Sequence, residues 1–250
     1  MLEKLSQSIE LSPLNQEKIL RMLRIPRQAD AGPQDPVFDA QLAKQVGLCE
    51  AEVRRCAHPR AVLRILPVSE LGPLLEGNDI QRLLADCEEA VLMAVTLGAE
   101  LEKRLMQEEV TNLSNAYVMD LCASQAVEEA ADRLEGRLRE RIRAEQKYLT
   151  NRFSPGYGDY PLRVQRPLLD YLNAGRAVGL TLTPTGLMVP RKSITAVMGI
   201  SKAPKPEVYG SCRHCPLITK CSWRSFGERC YEQPDINIGL LMRKERIYEE

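Results

Sequence analysis

One helical pattern dominates the chain. From about Ser114 to Tyr148, Met119, Ala123, Ala126, Ala130 and Leu134 recur at spacings of three and four residues and form a single apolar stripe. The opposite stripe, Tyr117, Asp120, Ser124, Glu128 and Ala131, carries two carboxylates among small residues. Further along, "RLEGRLRERIRAEQK" is highly charged and reads as solvated.

Around this helix, short bounded runs rich in valine and leucine read as strands: "HPRAVLRILPV" and "EEAVLMAVTLG". Later, "GLTLTPTGLMVP" and "KSITAVMGIS" read as two strands joined by a Pro/Arg turn. "GNDIQRLLADC", "AELEKRLMQEEV" and "LRVQRPLLDYLNAG" read as helices, with Thr96–Gly98 as a strand-to-helix turn. Residues 1–60 read as helical throughout. "LNQEKILRMLRI" places Ile19, Leu20, Met22, Leu23 and Ile25 at helical spacing, and "VFDAQLAKQVGLCEAEVRRCA" follows the break "ADAGPQDP". Strands separated by helices of unequal length, with a hairpin-like pair late, predict an α+β fold rather than a regular βαβ array. The expected organisation is a helical N-terminal segment over 1–60, a core over 61–204 and a Cys-rich tail over 205–250.

Composition narrows the function classes. The 34 basic side chains balance 34 acidic ones over 250 residues. Zero net charge argues against duplex nucleic acid and against an anionic membrane surface as partners. No apolar run approaches the ~18 residues that a membrane helix needs. The opening "MLEKLSQSIELSPLNQEKIL" carries no apolar signal-peptide core, so the expected location is the cytoplasm. In that reducing setting, clustered cysteines point to metal or redox chemistry rather than a disulfide framework. The two histidines, His58 and His214, make no Ser/His/Asp set and no His-rich metal site, and no residue is assigned a catalytic role.

The stretch "TNRFSPGYGDYPLRVQ", Thr150–Gln165, has two glycines, two prolines, two tyrosines and two arginines but hardly any core aliphatic. It reads as a rigid aromatic loop with Arg152 at its mouth. Gly156 permits close backbone approach, and Pro155 fixes the backbone beside it. Arg152 can grip a carboxylate through its planar guanidinium or form a surface ion pair. Taken by itself Glu128 reads as a solvated helix residue, and Gly156 with Tyr157 can be a tight turn with a packed aromatic.

A family pattern runs through these residues in order. Arg152, Pro155, Gly156 and Tyr157 match Arg-x-x-Pro-Gly-Tyr; Leu182 and Thr183 match Leu-Thr; Met188, Pro190, Ser193 and Ile194 match Met-x-Pro-x-x-Ser-[Val/Ile]. The chain thereby resembles the activation domain of cobalamin-dependent methionine synthase, in a stand-alone form. The resemblance implies a mainly antiparallel sheet with flanking helices, and a core that binds S-adenosylmethionine. It implies reductive methylation of cobalamin carried by a partner, methionine synthase or another corrinoid protein. The electron would come from a flavodoxin-like or other low-potential donor. Carried over by position, Arg152 binds the ligand carboxylate and Glu128 its ammonium. Ser154 and Gly156 read the adenine edge through their backbone, and Tyr157 covers the nucleoside. Two departures stand out: residues 1–60 hold no counterpart of a further acidic ligand, and an aromatic pair is replaced at most by Tyr209.

Cys212, Cys215, Cys221 and Cys230 have the spacing C-x2-C-x5-C-x8-C, which suits zinc, an iron–sulfur cluster or reduced structural thiols. Cys49, Cys56, Cys87 and Cys122 read as ordinary buried thiols in helical segments. Two other functions remain open at this level. One is a non-catalytic module that binds a corrinoid protein or senses a nucleoside; the other is an iron–sulfur redox accessory protein.

Overall fold

A computed structural model describes residues 4–28, 36–205 and 219–220. Cys212, Cys215, Cys221, Cys230 and Tyr209 lie outside the described residues, as does nearly all of "ADAGPQDP". In chain order the elements are β1 (Lys4–Ser8), α1 (Gln16–Gln28), α2 (Pro36–Cys56), β2 (Arg60–Pro67), α3 (Asn78–Leu84), β3 (Cys87–Thr96) and α4 (Ala99–Thr111). Then follow α5 (Leu113–Ala144), β4 (Tyr148–Leu149), α6 (Gln165–Leu172), α7 (Ala174–Val178), β5 (Thr181–Leu182), β6 (Met188–Val189) and β7 (Ser193–Ser201).

The valine- and leucine-rich runs alternate their side chains between two directions, and the fold buries both. Ala61, Leu63, Val91, Met93, Val95, Ala196, Met198 and Ile200 join one core layer with residues of α1, α2, α4 and α5. Val62, Leu66, Ala90, Leu92, Ala94 and Val197 join a second layer with residues of α3, α6 and α7. The sheet between the layers has the order β1-β2-β3-β7-β4 and is antiparallel at every pairing. The fold is therefore α+β, with an antiparallel sheet and flanking helices.

Helix α5 carries the expected stripe. Met119, Ala123, Ala126 and Ala130 are fully buried and Leu134 nearly so. Asn112 ends α4 and caps α5, its side chain accepting the Asn115 N–H at 3.1 Å. Ala131, placed by spacing on the opposite stripe, is buried too, because α1 and α2 also pack on this helix.

Two stretches differ from the sequence reading. The polar segment Lys4–Ser8 is a strand, not part of a helical region; it pairs in register from Lys4↔Arg64 to Ser8↔Arg60 and closes the open edge of β2. "GLTLTPTGLMVP" is not one strand. It folds back on itself at Thr183–Gly186, so that β5 and β6 make a separate two-stranded sheet and β7 alone enters the main one. Cys49, Cys56 and Cys122 are buried as expected, while Cys87 is half-buried and lies on β3 rather than a helix. Burial pushes the Cys49 thiol up to about 11 and Cys122 up to about 12, so both stay protonated at neutral pH. No helix among the described residues is long and apolar enough to cross a membrane.

Strand β7 has no slack on its α3 side. A Cβ added at Gly199 would sit 2.5 Å from Cys87 Sγ and 3.0 Å from Leu84 Cδ2. Gly199→Ala is expected to destabilise the fold by about 1–3 kcal/mol, the usual penalty of overpacking, read from the urea midpoint.

Candidate functional site

The loop that holds the site grows out of the sheet edge. After β4, Thr150 donates its N–H to the Gly199 carbonyl at 2.9 Å, and its hydroxyl oxygen accepts the Gly199 N–H at 2.8 Å. Phe153 and Val197 then exchange two backbone hydrogen bonds, both of 2.9 Å. Residues 150–153 thus extend the edge of β7, and strand alternation divides their side chains. Phe153 enters the layer of α3, α6 and α7. Arg152 turns the other way and meets α5.

On the Phe153 side the loop is pinned by its aromatic and acidic residues. Phe153 stacks on Tyr160 with centroids 5.6 Å apart, and the buried Tyr160 hydroxyl donates to the Leu74 carbonyl at 3.1 Å. Asp159 accepts the Asn78 N–H at 2.7 Å and the Asp79 N–H at 2.9 Å, while its own N–H donates to the Asp79 carboxylate at 3.2 Å. Close approach there requires glycine at Gly77: its φ is +111°, and a Cβ would lie 2.9 Å from the Asp159 carbonyl oxygen.

The outer turn carries the remaining sequence-predicted residues. Gly156 has φ +98° and donates to the Tyr160 carbonyl at 2.8 Å; Tyr157 donates to the Ser154 carbonyl at 3.2 Å. Gly156 and Tyr157 are exposed and Ser154 is half-buried. The Gly156 N–H is thus engaged inside the turn.

Arg152 and Glu128, far apart in sequence, come together beneath the loop. Arg152 is only 9% exposed in its side chain, and its Nη2 lies 3.6 Å from Glu128 Oε2. The same Nη2 pairs closely with Asp132 Oδ1, and Nε donates to Glu135 Oε2 at 2.8 Å. Glu135 also accepts from Arg139, Nη2 at 2.5 Å and Nε at 3.0 Å. Arg139 in turn donates to the carbonyls of Leu149 at 2.6 Å and Thr150 at 3.1 Å, and to Asn151 Oδ1 at 3.0 Å. Glu128, Asp132, Glu135 and Arg139 follow helical spacing down one face of α5, so a single face clamps the root of the loop. The charged stretch expected to be solvated therefore includes Glu135, whose side chain is only 12% exposed.

Electrostatics single out Glu128. Half of its side-chain surface faces solvent, yet the protein packed against it pushes its carboxyl above the ordinary 4.5; Arg152 opposes this and Asp132 adds to it. The folded state thus holds this proton longer than the unfolded chain does. Ionising Glu128 costs stability as pH rises through that interval, and a cation placed beside it would reverse the sign.

Higher on the same face, Lys192 takes Asp120 at 2.7 Å and donates to Ser124 Oγ at 2.9 Å. Beyond it an open groove of about 710 Å³ is lined by Glu109, Leu113, Ser114, Ala116, Tyr117 and Asp120. Among the described residues, no group of three or more His, Cys, Asp or Glu side chains is placed to hold a metal ion.

No family model matches the chain, and no curated protein matches it in sequence. In structure it is similar to the MetH reactivation domain bound to AdoHcy, with a TM-score of 0.56 and 16% identity, covering 82% of this chain and 80% of that one. The likeness shows a shared fold, the one implied by the motif in the loop and in β6–β7.

The Asp159 cap makes the loop sensitive to acid. The N–H groups of Asp79 and Asn78 hold its carboxyl below the ordinary 3.8. A depressed folded value means that the cap contributes fully above 3.8 and is lost as pH falls through the lower folded value. Hydrogen exchange at residues 78, 79 and 156–160 is expected to accelerate, relative to the core strands, only below that point. In Asp159→Ala the same amides should exchange fast at neutral pH.

Proposed function

We propose that this protein binds S-adenosylmethionine and supports the reductive methylation of an oxidised corrinoid on a partner protein. The partner would be a cobalamin-dependent methyltransferase, with methionine synthase the first choice. One observation carries the reading: Arg152 and Glu128, the guanidinium and carboxylate that a zwitterionic amino-acid head requires, meet beneath the Pro-Gly-Tyr loop. The fold likeness to a domain described as bound to AdoHcy supports it.

In this reading Arg152 holds the ligand carboxylate, Glu128 its ammonium, and the turn of Ser154, Gly156 and Tyr157 the nucleoside. The ligand supplies an activated methyl group on a sulfonium, and a flavodoxin-like or other low-potential donor supplies the electron. The residues of this chain bind, orient and exclude water, and proton transfer is not asked of them. That agrees with a cluster built from arginines and carboxylates, without histidine.

Calorimetry is expected to show S-adenosylmethionine binding that Arg152→Ala weakens by about 1.5–3 kcal/mol, the range for charged hydrogen bonds. Because Arg152 also neutralises the largely enclosed Glu135, circular dichroism must confirm that this variant is folded. Tyr157→Ala, at an exposed side chain, should weaken binding without changing the melting temperature. Methyl transfer should require both a cobalamin-loaded partner and a reductant. Consumption of S-adenosylmethionine at a comparable rate without any corrinoid would overturn the proposal.

A further inference from the structure

The carboxylates around Arg152 are not equivalent. Glu135 is 12% exposed, takes Arg152 Nε at 2.8 Å and is shared with Arg139. Arg139 is itself held by two loop carbonyls and Asn151, so Glu135 cannot leave without unseating the loop root. At the other edge of the guanidinium, Nη2 meets Asp132 and Glu128, whose side chains are 66% and 50% exposed. Both carboxylates open onto solvent and can swing away from the guanidinium, which itself stays 9% exposed. The cluster sets two arginines, Arg139 and Arg152, against three carboxylates, Glu128, Asp132 and Glu135, and Lys18 acts on Glu128 from α1.

From this asymmetry we infer that Glu135 is a fixed mount for Arg152 and that Asp132 is a built-in competitor, which Arg152 exchanges for the carboxylate of an incoming α-amino acid head group. The inference rests on the amino-acid nucleoside reading above and deepens it. In the exchange Arg152 keeps its Nε bond to Glu135 and turns Nη2 from Asp132 to the ligand carboxylate. Asp132 swings into solvent, and Glu128 takes the ligand ammonium. A zwitterion adds no net charge to the site. A simple carboxylic acid can replace Asp132 but brings Glu128 no ammonium, so it is disfavoured. The cluster thus selects a complete amino-acid head over a lone carboxylate, and Asp132 is a specificity-determining residue rather than a ligand contact.

The test compares S-adenosylmethionine with its decarboxylated analogue on wild type, Asp132→Asn and Glu135→Gln. Asp132→Asn should tighten S-adenosylmethionine about two- to fivefold, the size of one ion pair with a solvent-facing carboxylate, and leave the decarboxylated analogue unchanged or weaker. Glu135→Gln should weaken S-adenosylmethionine roughly tenfold and shift the Arg152 Nε–Hε resonance, which Asp132→Asn leaves in place. Unchanged or weaker S-adenosylmethionine binding by Asp132→Asn, or equal tightening of both ligands, overturns the exchange. If wild type binds no S-adenosylmethionine, the nucleoside reading falls on its own, and an acetate titration followed at the Arg152 guanidinium still decides the exchange. A shift in Asp132→Asn that is absent in wild type supports it, and no shift in either overturns it.

Discussion

Strands β3 and β7 are buried on both faces, and the position of the loop follows from that burial. Apolar side chains sent to two sides need two covering layers, and α5 with its alanine stripe can lie close on one of them. The free edge of β7 then guides the returning chain. Residues 150–153 add to that edge in a fixed register, tied by the Phe153–Val197 pair. A slip of one residue would send Arg152 into the apolar layer of α3 and α6 and bring Phe153 against three carboxylates. Burying an unpaired guanidinium is far more unfavourable than the packing of one aromatic ring can offset, so the register is set by charge as much as by apolar contact.

The loop is held at two places by different forces. Its root is clamped through ions, by Arg139 and Glu135 of α5. Its tip is clamped through backbone amides, by the reciprocal bonds between Asp159 and the start of α3. Between them Ser154, Gly156 and Tyr157 form a turn closed by its own hydrogen bonds, with Gly156 and Tyr157 open to solvent. A segment held at both ends in this way would lose little entropy on binding the proposed ligand.

Much of this was legible in the residues, and the failures have physical causes. The stripe of α5 and the runs of β2, β3 and β7 could be read because side chains buried on a fixed period leave that period in the sequence. β1 could not: "KLSQS" is polar, and it is a strand because β2 offers it unpaired backbone groups. The hairpin of β5 and β6 was hidden because Thr183, at its turn, accepts the Leu187 N–H through its hydroxyl, a role that looks like ordinary strand composition. At the site, spacing alone left Arg152 and Glu128 ambiguous, and only the family pattern joined them. Glu135 and Arg139 carried a signal, their helical spacing below Glu128, but it acquires meaning only once the loop root is known to lie on that face.

The graded exposure of the three carboxylates around Arg152 also sets how far the surrounding electrolyte reaches into the site. Counterions crowd within about 8–10 Å of a surface charge at ordinary ionic strength and screen what is open to water. Asp132 and Glu128 open onto that solution, whereas the pair of Glu135 with Arg152 is largely enclosed and is screened less. Raising the salt therefore loosens the outer side of the guanidinium more than its inner bond, so in the proposed function ionic strength would act on occupancy more than on the loop root.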